Sequence, residues 1–100
     1  MLLGPGKDGY DLKFDPAARA QIDRLFEEFP RCRFWWSGVE DLVRTSGHMI
    51  GQPIRFRGRG HRLLSFSADP NGLHPGIDLI YIIIADELTV DFVDMNIRKE

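Results

Sequence analysis

One hundred residues and 11.5 kDa leave room for a single core, because a chain of this size buries only roughly two-thirds of the surface it exposes when unfolded. With 43% hydrophobic and 28% charged residues the composition excludes a disordered chain and a fibrous repeat, and the longest apolar run, Leu79–Ala85, falls far short of the ~20 residues that cross a bilayer. The formal charge of −2 conceals a division: Arg55, Arg57, Arg59 and Arg62 have no acid among them, whereas residues 63–100 hold two basic and seven acidic side chains, so any attraction for phosphate or an acidic peptide is local.

Residues 1–9 read as a short loose leader, and residues 10–100 as the folded domain. Tyr10–Phe14 alternates apolar and polar residues, the period-two pattern of a half-buried strand. Asp15-Pro16 joins an N-cap carboxylate to a proline at the first helical position, where the missing N–H costs nothing, and Ala18, Ile22, Leu25 and Phe29 then form one apolar stripe. Pro30 ends that helix. A second follows with Cys32, Trp35 or Trp36, Val39, Leu42 and Val43 at helical spacing, and Gly47 is its expected stop. Its start is open, since Ser37 and Glu40 form a capping-box pair that begins the helix later. The short link makes the two helices an antiparallel hairpin.

From His48 to Gly60, turn glycines, a proline and alternating arginines predict a loop leading into a strand over His61–Ser67. Asp69–Gly76 is dense turn chemistry, and the isoleucine-rich run Ile77–Ala85 predicts a central strand covered on both faces. After a tight turn at Asp86-Glu87 the last strand is Leu88–Ile97. Strict alternation sets Asp91, Val93, Met95 and Ile97 against Val90, Phe92 and Asp94, leaving neither face purely apolar. The expected fold is α+β, in the order strand, helical hairpin, then three antiparallel strands, with the helices on one face of the sheet.

This order, with the helix start Phe14-Asp15-Pro16-Ala17-Ala18, then Arg62-Leu63-Leu64, Ile80-Tyr81-Ile82-Ile83 and Val90-Asp91-Phe92-Val93, resembles the RelE/ParE superfamily of toxins from toxin–antitoxin pairs. The resemblance covers about Tyr10 to Lys99. It implies an antitoxin protein as inhibitory partner and one of two activities: cleavage of messenger RNA on the ribosome, or binding of a target such as gyrase without nuclease chemistry. It also implies phosphate contacts from Arg62, at the position of the family's strand arginine, and from Arg98, at that of its terminal basic residue. Ribonuclease members usually carry, beyond the last strand, a tyrosine or histidine that serves as acid or stacks on the base, a position with no counterpart before Glu100. The expectation is therefore a toxin-type binding protein, with an active endoribonuclease and an orphan interaction module as rivals.

RNA cleavage needs a general base, cationic donors for the phosphorane and a general acid. Arg55, Arg57 and Arg59 share one face if extended and would form an anion-binding comb; the alternative is a solvated loop guarding a sheet edge. His61 is the candidate acid or base, with an ordinary exposed histidine as its plain reading. Phe34, Trp35 and Trp36 cannot all enter the core from one helix. At least one faces outward, and the cluster is the candidate seat for an antitoxin peptide or for a homodimer contact; the alternative packs both tryptophans inside. His48 and His74 lack a cysteine or carboxylate at ligand spacing, so no metal is expected, and Gly58-Arg59-Gly60 lacks the fuller phosphate-loop pattern, so no cofactor is expected. Cys32, between Arg31 and Arg33, reads as a helix-packing residue. Standing alone, it excludes an intrachain disulfide and, with no secretory signal pattern at the amino terminus, predicts a cytoplasmic protein without a membrane anchor.

Overall fold

The computed structural model describes residues 9–96. The Arg98 expectation and nearly all of the leader lie outside them. Strand β1 (Asp11–Phe14) leads into α1 (Pro16–Glu28), a 3₁₀ turn (Pro30–Cys32) and α2 (Arg33–Ser46), followed by β2 (Gln52–Phe56), β3 (Arg59–Phe66), β4 (Gly76–Ile84) and β5 (Glu87–Asn96). The fold is α+β as expected, but four strands follow the helices rather than three. The sheet has five strands in the order β1-β5-β4-β3-β2, and it is mixed, because β1 runs parallel to β5.

Local chemistry accounts for the helices. The Asp15 carboxylate accepts a hydrogen bond from the Ala17 amide at 3.1 Å, and Pro16 opens α1 where no N–H is needed. Ala18, Ile22 and Leu25 are buried along its inner side, and Cys32, Trp36, Val39 and Val43 continue the apolar seam along α2. Each large side chain among them contributes roughly 1.5–3 kcal/mol of burial. The later start for α2 is not used: the helix begins at Arg33, and Glu40 instead accepts from Trp36 Nε1 at 3.1 Å. Gly47 does cap α2, although its φ of −56° is ordinary helix. Space is the reason for glycine, since a Cβ there would stand 2.5 Å from Leu88 Cδ1 and 2.6 Å from the Val43 carbonyl oxygen.

Both helices lie on one side of the sheet, against Ile77, Leu79 and Tyr81 of β4 and Leu88, Val90 and Val93 of β5. Strict alternation fails in β5 for one reason. Tyr81 pairs with Val90 and Ile80 with Phe92, so Asp91 is the extra residue of a β-bulge. The slip moves Val93 and Met95 onto the face of Leu88 and Val90, and the strand acquires a wholly apolar side after all. The expectation that β4 is covered on both faces is corrected as well. It is the middle strand, yet helices cover one side only, and Ile84 remains 51% exposed.

The region expected as a loop before β3 contains β2, an edge strand whose alternating arginines and Pro53 resemble loop composition. It joins β3 through the two residues Arg57 and Gly58, at φ 52° and 75°, the positive pair that a tight I′ hairpin demands. The last turn falls one residue earlier than expected, on Ala85-Asp86, with Ala85 held at φ 57°. Among the described residues no helix is long and apolar enough to cross a membrane.

Candidate functional site

The arginine comb is not formed. Residues alternate sides along a strand, so Arg55 points away from the side taken by Ile54 and Phe56, while Arg59, paired with Phe56, shares that side. Arg57 sits in the turn between them, its guanidinium 4.9 Å from the Phe56 ring centroid. The three charges therefore splay around a rigid hairpin tip. All three residues are exposed, and among the described residues none forms an ion pair with a carboxylate; Arg55 Nη1 makes only a long 3.4 Å contact with the Gly58 carbonyl.

Arg62 is committed elsewhere. Its partner across the ladder is Tyr81, on the helix side. Nε donates to the Ile50 carbonyl at 2.7 Å and Nη2 to that of Gly51 at 3.2 Å, while the Tyr81 hydroxyl lies 2.8 Å from the Gly47 carbonyl oxygen and 3.2 Å from that of Ile50. These donors satisfy the carbonyls of the α2–β2 connection, so Arg62 braces a loop rather than offering a fork to phosphate. Burial pushes the Tyr81 phenol up, and the neighbouring Arg62 charge partly offsets that rise.

His61, one residue earlier, faces the other side. It is buried beneath Phe56, whose ring centroid is 5.2 Å away, and Phe56 in turn leans on Phe92 at 5.9 Å. Its Nε2 is 2.7 Å from Asp91 Oδ2 and its Nδ1 is 3.2 Å from the Arg59 carbonyl oxygen. The Asp91 bulge makes this reach across β4 feasible. Both ring nitrogens are turned onto oxygens of the protein itself, so neither points to where a bound substrate would exchange a proton. The side chain is only 2% exposed. His61 and Asp91 clasp three strands together; in this geometry they do not form an acid–base pair. A cleft of about 160 Å³, with His48, His61, Arg62, Tyr81 and Ile83 in its wall, is smaller than the roughly 300 Å³ that small-molecule sites begin at.

The aromatic run divides three ways. Phe34 is 92% exposed, Trp36 is core, and Trp35 stacks on His74 with centroids 3.6 Å apart while meeting Phe66 edge-on. Trp35 thus pins the β3–β4 loop to α2, and only Phe34 of the expected interface cluster is presented to a partner. His74 is spent on that stack and on the Pro75 carbonyl at 2.9 Å. Burial pushes the Cys32 thiol up, which makes it a packing group and not a reactive one. Among the described residues no three His, Cys, Asp or Glu side chains gather as a metal site. The site residue that sequence reasoning missed is Asp91; its signal was the phase break between Leu88-Val90 and Val93-Met95, which marks a bulge.

These features define a class: an α+β domain with a helical hairpin on one sheet face, a basic hairpin tip and an opposite face that no described helix covers. Comparison of the chain with family models, curated proteins and solved structures finds no match.

Proposed function

We propose that this protein acts by binding a macromolecular target, in the manner of the RelE/ParE toxins that lack nuclease chemistry, and that an antitoxin protein is its cognate partner. The observation that carries the reading is the β2–β3 hairpin. Arg55, Arg57 and Arg59 stand exposed on a tight turn with no carboxylate partner among the described residues, the makeup of a contact for phosphate or for acidic protein surface. The endoribonuclease reading lacks support for its chemistry, because His61 has both nitrogens engaged and Arg62 has its guanidinium on loop carbonyls.

Induced expression in a bacterial host, with growth followed alongside primer extension on cellular messages, tests this. Growth arrest without new 5′ ends is expected, relieved when Arg55, Arg57 and Arg59 are all changed to Ala in a protein whose circular dichroism is unchanged. Discrete new 5′ ends lost in that triple variant would replace the proposal with the nuclease. No effect on growth would leave the orphan interaction module, and co-purification with the product of an adjacent reading frame identifies the antitoxin.

A further inference from the structure

The arginine-bearing hairpin outruns the ladder that holds it to the sheet. Pairing of β3 with β4 runs from Phe66–Ile77 to Arg62–Tyr81, whereas pairing of β2 with β3 continues to Phe56–Arg59. The cleft of about 160 Å³ opens where the strands part, with Gly60 and His61 on one wall and Ile82 and Ile83 on the other. Past the Arg62–Tyr81 pair, β2 and β3 form a two-stranded ribbon that reaches about 13 Å to its turn, at ~3.3 Å per residue. Its base is fixed by His61 on Asp91 and by Phe56 on His61 and Phe92. Its tip is bare: residues 57–60 are exposed, and a Cβ at Gly58 or Gly60 would meet nothing within 4 Å.

Charge surrounds this ribbon. Arg55 pairs with Gly60, so one side carries a guanidinium and no opposing side chain; Arg59 lies on the other side beside Phe56, and Arg57 holds the turn. Residues 42–68 contain five arginines and no acid, and the remaining two are committed, Arg44 to Asp41 at 2.6 Å and Arg62 to the Ile50 and Gly51 carbonyls. Acids gather across the sheet from β2: Asp11 pairs with Glu87 at the β1–β5 margin, and Asp86 stands in the β4–β5 turn. Lys13, 2.7 Å from Glu87, offsets part of that acidity.

We infer that the β2–β3 ribbon enters the major groove of duplex DNA, its two sides facing the two phosphate walls. This rests on the reading of the hairpin as the element that binds the target. A flat acidic surface meets one side of a ribbon and leaves the guanidinium of the other in water. A groove walled by phosphate engages Arg55 and Arg59 together and brings Arg57 to base edges at its floor, where arginine pairs with O6 and N7 of guanine. The dimensions agree: the major groove is about 12 Å wide and about 8.5 Å deep and admits a two-stranded ribbon, so this one reaches the floor. The major groove of duplex RNA is deep and narrow and does not take it. Asp86 and Glu87 repel phosphate from their side, so the duplex approaches from the β2 margin. With a formal charge of −2 the whole molecule supplies no long-range attraction, and the expected Kd is on the order of 10⁻⁴ M at physiological salt, the weak end of non-specific binding.

Fluorescence anisotropy of a labelled DNA duplex of about 20 bp, two helical turns, titrated with the full chain is the test. Between about 50 and 200 mM salt the slope of log K against log salt should be about −1.8, two phosphates at ~0.9 each. Arg55→Ala and Arg59→Ala should each reduce it to about −0.9, and Arg57→Ala should erase a preference for G·C-rich over A·T-only duplex. Arg59→Lys keeps the charge and should keep the slope, which separates a lost contact from a misfolded variant. Arg31→Ala, in the 3₁₀ turn, should change nothing. An absence of binding at about 500 µM protein in the lowest salt, a slope indifferent to Arg55 and Arg59, or equal affinity for the RNA duplex of the same sequence would each overturn the inference. Displacement of the duplex by poly-glutamate at equal charge would replace DNA with an acidic protein partner. Growth arrest that needs the three arginines in a protein that ignores duplex DNA would overturn the groove and leave the target-binding reading standing.

Discussion

The two faces of this sheet use the same residue types to opposite ends. Under the helices, Ile77, Leu79, Tyr81, Leu88, Val90 and Val93 are at most 2% exposed, and the Tyr81 hydroxyl is bound to backbone carbonyls of the neighbouring loop. On the other side, Ile84 and Phe92 stay open, and a deeply buried polar group, His61, is held by Asp91 beneath Phe56. Neighbours in sequence, Arg62 and His61, belong to these two worlds. Sequence alone marks Arg62 as a phosphate ligand and His61 as an acid or base; the side each faces decides that one braces a loop and the other ties strands.

Substitutions on adjacent residues break this contrast most directly. Leu79→Ala, on the covered face, should cost about 2–5 kcal/mol in urea unfolding, and Ile80→Ala, its neighbour on the open face, less than half of that. Equal losses would mean that the open face is as tightly packed as the core. Next in size, Asp91→Ala leaves His61 buried with a donor unpaired and should cost about 2–3 kcal/mol, while the apolar double change His61→Leu with Asp91→Leu recovers most of it. If the double variant is no better than the single, the pair is worth more than its burial penalty.

Alkaline titration separates the covered face by spectroscopy. The chain has two tyrosines, Tyr10 and Tyr81, both buried, and burial raises both phenols. Folding therefore favours the protonated phenol. Its stabilisation is complete below about pH 10, the unfolded value, and is lost as pH climbs above it toward the raised folded values. Tyrosinate absorbance should appear together with loss of tertiary signal; a smooth native titration centred on 10 would contradict the burial. The smallest effect is expected at the β4–β5 turn, where Ala85→Gly relieves a left-handed alanine and should raise stability by about 1 kcal/mol, read as a higher melting temperature.

Much of the fold was legible because helix signals are local. The Asp15-Pro16 start, the stripe Ala18-Ile22-Leu25 and the stop at Pro30 each depend on residues within a turn or two. The sheet was less legible wherever pairing partners are distant. Nothing near Asp91 announces that it must reach His61, thirty residues away, and strict alternation assigned its strand two mixed faces. The β2 edge hid behind Pro53 and its arginines, so the comb expected from Arg55, Arg57 and Arg59 assumed an extended run where the chain reverses. For Phe34, Trp35 and Trp36 the argument that one must face outward was sound, and tertiary packing chose Phe34.

The parallel pairing of β1 with β5 joins positions seventy-six residues apart, Asp11 with Glu87. During synthesis β1 leaves the ribosome well before β5, the strand it pairs with. Until β5 emerges, β1 has no ladder to join, and the inner side of α1 and α2 waits for β4 and β5 to cover it.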